Sequence, residues 1–365
     1  MTTRTVLFRL HWLLGLTAGL VLALVGVTGA LLSYEEALTE WANADRAFVT
    51  ASDAPRLSPA ALKARVEAQQ PGRVVSSLAL WGDPERSPRI RFANDPAMGA
   101  RPPTLYLDPV DGRTLGEMRL EDTFVTIRKL HRWLLLPGDG KGWGRSITGI
   151  CAITLLVFLA TGLYLRWPKL HTWKIWLKPS LKRPGRPRWW SLHTIAGTWL
   201  VPFYAAIALT GLWWSFDGYR EVVTTLLTRG ETITRMADGK PPASDAKAGG
   251  PKAGGPKEGV IRGEGRPGRR EDGLGGPGAP SLDAAWTAFR TVDAGQFTRA
   301  TLILPSGGTG PIRIRSENRN GWRDDTRIEA ASGRILMREI GGERPLGARI
   351  AGNMLDVHSG RIFGF

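Results

Sequence analysis

The stretch from Leu10 to Leu32, LHWLLGLTAGLVLALVGVTGALL, decides the fold. It contains no acid, lysine or arginine, and it exceeds the roughly 20 residues a helix needs to cross hydrocarbon. A second stretch, His193 to Phe216, HTIAGTWLVPFYAAIALTGLWWSF, repeats its markings. Each opens on a histidine, has glycine four residues on, and has Thr-Gly starting seventeen residues on. The residues are His11, Gly15, Thr28 and Gly29 in one, and His193, Gly197, Thr210 and Gly211 in the other. Ile147 to Leu165 is a third apolar run. The chain therefore reads as an α-helical membrane protein with large parts outside the bilayer.

Arg4 and Arg9 before the first run, and Ala42-Asn43-Ala44 after it, resemble a secretory signal. The apolar core is much longer than the about 7–15 residues of a signal peptide, so an uncleaved anchor is expected. Orientation follows from charge. The net charge is +16, and Arg166 to Leu192 carries Arg166, Lys169, Lys174, Lys178, Lys182, Arg183, Arg186 and Arg188 without an acid. Short basic loops stay cytoplasmic. The N-terminus is then inside, and the regions after the first and third spans are outside. A basic run tethered between two spans does not point to nucleic acid. Cys151 is the only cysteine, which excludes an internal disulfide and any Cys-x-x-Cys metal site.

The outer regions read as two similar α+β units. Ser58-Pro59 starts a helix to Gln69, with Ser58 as N-cap. Strands follow at Val74 to Leu80, Arg89 to Ala93 and Thr104 to Leu107, then a turn at Asp108-Pro109-Val110-Asp111-Gly112. The second unit has a helix from Ser281 to Thr291 and strands at Phe297 to Leu304, Pro311 to Ser316 and Thr326 to Ala330. The plan is a span over 7–34, an α+β domain over 35–122, an interfacial helix and loop over 123–145, and a span over 146–166. A basic cytoplasmic loop over 167–192 and a span over 193–216 follow. Residues 237–280 are a Gly/Pro-rich insert expected to be disordered. The second α+β domain covers 281–350, and 351–365 leads towards a further span. The insert holds Gly263-x-Gly265-x-x-Gly268, but no strand precedes it and Pro267 breaks the helix it would open, so it is not a dinucleotide site.

Five histidines occur in 365 residues. His11 to His131 is 120 residues and His193 to His358 is 165; the difference of 45 is close to the length of the insert. His131 and His358 are thus equivalent in a duplicated span–domain–span plan, as His11 and His193 are. Alternating topology puts His11 with His193 on the inner side and His131 with His358 on the outer side. Two imidazoles from separate helices at matched depth suit bis-histidine haem. Zinc and copper fit less well, because neither pair has Cys or acidic ligands nearby. Gly15 and Gly197 lie on the faces of His11 and His193 and would leave bare backbone for a porphyrin; helix packing is the alternative for them. Arg128 and Arg132 beside His131 suit haem propionates or an anionic ferric chelate. His171 has no equivalent and reads as an interfacial residue.

The chain resembles the PepSY-associated transmembrane proteins, bacterial inner-membrane proteins tied to iron and siderophore uptake. The likeness rests on Arg9-Leu10-His11-Trp12 with Thr28-Gly29, on Leu107 to Arg113, on Leu130-His131-Arg132, on Thr161 to Leu165, on His193 with Gly197 and Thr210-Gly211, and on Val357 to Gly364. It implies four helices, two periplasmic PepSY domains and, in some members, haem-dependent siderophore reduction. Carried to this sequence, it implies two haem b groups on His11, His193, His131 and His358, with a ferric siderophore as substrate. The electron donor would be external, quinol or a cytosolic reductase, since no flavin or nicotinamide motif is visible. Family members have a fourth helix after the His358 motif, so a chain ending at Phe365 is expected to be a fragment. The rival reading is a non-enzymatic membrane adaptor whose PepSY domains bind a periplasmic partner. Transport of an iron complex fits less well, because the spans lack polar residues to line a path.

Overall fold

Three long helices form where the apolar runs lie. Helix α1 (Thr3–Ser33) starts where the Thr2 side chain accepts from the Thr5 amide, which satisfies one of the four free donors of the first turn. Two short helices follow it, α2 (Glu35–Ala42) and α3 (Ala44–Ala47). Helix α4 (Pro59–Gln69) is capped by Ser58, and α5 (Glu121–Trp133) is amphipathic. The second long helix is α6 (Trp143–Arg166), followed by the short α7 (Trp173–Leu177) in the basic segment. The third is α8 (Arg186–Ser215), continued by α9 (Asp217–Thr228). Helix α10 (Leu282–Asp293) has Ser281 as its cap, and α11 (Leu346–Gly352) and α12 (Met354–Ser359) end the described chain. The computed structural model describes residues 1–50, 52–95, 101–167, 171–182, 184–228, 281–306 and 310–361. The insert at 237–280 and the end of the last motif, 362–364, lie outside them.

Among the described residues α1, α6 and α8 are the helices long and apolar enough to cross a membrane. Leu13, Leu16, Leu20 and Val27 on α1, and Trp199 and Phe203 on α8, are exposed; in a bilayer that surface is satisfied by lipid. Helix α6 packs against both α1 and α8. At Gly149 a Cβ would lie 2.8 Å from the side chains of Ser215 and Phe216. This glycine is what lets α6 and α8 approach there.

The strands are β1 (Val75–Trp81), β2 (Arg89–Phe92), β3 (Leu105–Leu107), β4 (Thr114–Glu117), β5 (Phe297–Ile303), β6 (Ile312–Asn318), β7 (Arg323–Ile328) and β8 (Ile335–Glu339). They form one antiparallel sheet in the order β4-β3-β2-β1-β5-β6-β7-β8. The two outer regions, read from the sequence as separate α+β units, are therefore continuous. Strand β1 pairs with β5 from Ser77↔Ile303 to Trp81↔Arg299.

Alternation along the strands explains the core. Leu78, Ile90, Phe92, Leu105 and Leu107 pack with Leu62 and Val66 of α4. Ala300, Leu302, Ile312, Ile314 and Ile328 pack with Leu282, Ala285 and Phe289 of α10. The helices are tied at their N-termini, where Asp283 accepts from the Ser58 hydroxyl at 2.7 Å and the Ala60 amide at 2.9 Å. A carboxylate there is favourable, because the first-turn amides of α4 lack intrahelical partners. Both helices cover one face of the sheet, so Arg89 and Arg91, which alternate with Ile90 and Phe92, belong to the other face.

Candidate functional site: two histidine pairs

The four histidines meet as two pairs. The rings of His11 on α1 and His193 on α8 are 6.3 Å apart with planes at 77°. Those of His131 on α5 and His358 on α12 are 6.2 Å apart at 61°. His171 joins neither pair; it stacks on Trp176 at 6.0 Å.

Three of the four rings are held by a Thr-Gly dipeptide of a different helix. His11 Nδ1 lies 2.9 Å from the Thr161 hydroxyl, His131 Nδ1 lies 3.1 Å from that of Thr28, and His358 Nδ1 lies 2.8 Å from that of Thr210. The following glycine makes room for the ring. A Cβ on Gly29 would be 3.0 Å from His131 Cε1, and one on Gly162 or Gly211 would be 3.5 Å from His11 or His358 Cε1. The repeated His-Gly-Thr-Gly pattern is therefore not one local site. The Thr-Gly near the end of α1 serves His131, and that of α8 serves His358. The recurrence of Thr-Gly on all three long helices is the signal that reading each segment separately missed.

These contacts decide which ring nitrogen carries the proton. Each threonine hydroxyl has one hydrogen, and each gives it to a carbonyl one turn back. Thr28 donates to Leu24 at 2.8 Å, Thr161 to Val157 at 2.7 Å and Thr210 to Ala206 at 2.6 Å. The oxygen can then only accept from the imidazole. For His131 the Val25 carbonyl, 3.0 Å from Nδ1, requires the same answer, since a carbonyl has no proton to give. His358 likewise bonds the backbone of Ile207, the residue matching Val25. Nδ1 thus bears the hydrogen, and Nε2 keeps its lone pair, as in metal-binding histidines oriented by their other nitrogen. Burial keeps the outer pair neutral as well. It lowers His131 from the ordinary histidine value and pushes His358 down to about 4, with the neighbouring His131 adding to the effect on His358.

No group of three or more His, Cys, Asp or Glu able to hold a metal ion occurs among the described residues. Each pair offers two nitrogens, so a metal seated there must bring its other ligands.

The remaining sequence candidates fall around the pairs. A Cβ on Gly15 or Gly197 meets nothing within 4 Å, so both faces are open. The Arg128 guanidinium is taken by Glu35 at 2.6 Å, which ties α5 to α2. Arg132 lies over the Trp133 ring at 4.9 Å, while its carbonyl accepts from Thr148 of α6 at 3.0 Å. Helix α12 is fixed in turn by Asp356, which pairs with Arg323 of β7 at 3.0 Å. No curated protein matches the chain. A family model, the PepSY-associated TM region, matches residues 8–365, and the chain belongs to that family.

Proposed function

We propose that this membrane protein holds two b-type haems, one on His11 and His193 and one on His131 and His358, and carries electrons outward to a ferric siderophore. The observation that carries the reading is the histidine geometry. Two imidazole pairs have ring centres 6.3 and 6.2 Å apart, with no larger metal-ligand cluster among the described residues, and Thr161, Thr28 and Thr210 commit the Nδ1 hydrogens. A porphyrin would supply the further nitrogen ligands that these pairs lack, and its iron would supply a one-electron centre. Open space beside Gly15 and Gly197 supports a flat ring next to the inner pair.

His11 and Thr28 are seventeen residues apart on α1, about 25 Å at 1.5 Å per residue. Two centres at those depths cover most of a bilayer, which is why one pair at each end suits electron transfer better than a structural role. Iron reduction takes one electron per ferric ion, supplied by an external donor, quinol or a cytosolic reductase. Charge supports a cytoplasmic N-terminus in a bacterial inner membrane, with the sheet in the periplasm. A duplicated span–domain–span origin is supported by the palindromic strand order and by the matching of Thr28 with Thr210.

Absorption spectroscopy of the full chain purified in detergent tests the reading. The expected result is a Soret band with sharp low-spin α and β bands on reduction. A colourless protein, purified from haem-replete cells, would favour the adaptor role instead.

A further inference from the structure

On the sheet face opposite α4 and α10, a cleft of about 220 Å³ opens between α2 and the strands. Five arginines and three glutamates line it, but the acids are already engaged. Glu40 binds Arg86 at 2.8 and 3.0 Å. Glu36 binds Arg299 at 2.8 Å, and Glu35 is held from outside by Arg128. Neither Arg89 nor Arg361 forms an ion pair with a carboxylate among the described residues, although Glu36 attracts Arg89 from further off.

Arg89 is the unusual group. Its guanidinium lies 4.4 Å over the Trp81 ring and 5.8 Å from that of Tyr106, and its Nε is buried without a hydrogen-bond partner. Beside it the Ser87 hydroxyl, also in the cleft wall, is buried and unpartnered. The Tyr106 side chain shares a hydrogen bond with the guanidinium, but aromatic faces accept no N–H bonds in its plane, and a buried Nε–H without an acceptor is costly. Two orphaned polar groups in one arginine-rich wall are what a bound oxyanion would satisfy. Arg91, which reaches Glu121 only at 3.9 Å, adds a further cation at the rim.

The cleft is linked along the chain to the outer histidine pair. Arg361 follows His358 by three residues, and Glu35 begins the helix after α1, whose Thr28 holds His131. We propose that this cleft is an oxyanion site that takes the carboxylates of a ferric chelate, with Arg89 and Ser87 as its floor and Arg91 and Arg361 at its mouth. A volume of about 220 Å³ is below the roughly 300–1,000 Å³ of drug-sized pockets. It accepts a small polycarboxylate chelate, or one carboxylate arm of a larger one. The inference rests on the proposed function only for what happens to the bound iron; the binding itself stands apart from it.

Isothermal titration of the detergent-purified full chain with citrate and with ferric citrate tests it, with the haem spectrum recorded on each sample. Wild type should bind both probes, more weakly as salt is raised. Arg89→Met keeps an unbranched chain over Trp81 and should weaken binding at least roughly tenfold. Arg361→Gln lies outside the sheet, so it tests the site without touching the core; it should weaken binding several-fold with the Soret band unchanged. Citrate binding that depends on Arg89 in a protein without haem would uphold the anion site and sink the haem reading. A haem-bearing protein that binds neither probe would overturn the anion site. So would binding confined to vesicles of anionic lipid, or an Arg89→Met variant whose only change is in the haem spectrum, which would assign the guanidinium to a lipid phosphate or a haem propionate.

Discussion

The outer and inner histidine pairs have nearly the same ring separation but are built differently. The inner histidines, His11 and His193, sit directly on long apolar helices. The outer histidines, His131 and His358, sit on shorter helices that each have three supports. For His131 these are Thr28, the Arg128–Glu35 ion pair and the Thr148 bond to the Arg132 carbonyl. For His358 they are Thr210, the edge of Trp214 at 5.2 Å and the Asp356–Arg323 ion pair. The inner pair is held on one side only. His11 has Thr161 and an edge contact with Phe158 at 5.3 Å, whereas His193 is exposed, with no hydrogen bond to its ring among the described residues. A histidine carried by a span inherits its depth from the span; one carried by a shorter helix has its place fixed by contacts.

The largest expected effects come from removing ligands. His131→Ala or His358→Ala should eliminate the outer haem and about half the haem per chain, leaving the inner centre's spectrum. His11→Ala should do the converse. A ligand substitution that strips both centres, or neither, would break the pairing.

Threonine substitutions sharpen the contrast. Thr28→Val and Thr210→Val keep the shape and lose the oxygen that fixes Nδ1. Each should weaken haem retention at the outer site about 10–100-fold and shift that centre's potential, with the inner centre unmoved. Thr161→Val should affect only the inner centre. The corresponding serine variants should restore the potential, because the hydroxyl and not the methyl sets the tautomer. Equal effects of valine and serine would reduce the dipeptides to packing.

Glycine substitutions test the fit of the ring. Gly29→Ala puts a Cβ 3.0 Å from His131 and should cost about 1–3 kcal/mol through displacement of the ring. Gly211→Ala and Gly162→Ala, at 3.5 Å, should cost less. Gly15→Ala meets nothing in the protein, so its effect should be confined to haem loading at the inner pair. Thermal denaturation and haem content, measured on the same samples, separate the two cases.

The smallest effect is expected at Arg128. Its ion pair with Glu35 is partly exposed, so Arg128→Gln should cost less than about 1 kcal/mol. It should leave the outer haem in place. A spectral change at that centre would favour the cofactor-binding role expected for Arg128 from the sequence.

What could be read from the sequence was local or periodic. The apolar runs locate α1, α6 and α8, and Ser58-Pro59 and Ser281 mark the starts of α4 and α10, because caps and hydropathy are written in neighbouring residues. The alternation of spans sorts His11 with His193 and His131 with His358 by side, and the rings do lie together; their role as ligands is a proposal. Other features were not legible. The seam between β1 and β5 joins residues more than two hundred positions apart, with nothing in either strand to name its partner. The short β4 and β8 lack a clean alternation of apolar residues. Thr28, Thr161 and Thr210 read as ordinary span residues until the fold brings another helix's histidine against each of them. Arg89 was hidden for a similar reason, since its lack of an acid partner is a property of the assembled cleft.

The most direct test of the two-centre account is the number of haems per chain in the purified protein, by pyridine haemochrome against protein concentration. The account predicts two b-type haems, falling to one when either pair loses a histidine. A full-length protein that binds no haem, or whose haem content is unchanged by His131→Ala and His11→Ala alike, would contradict it.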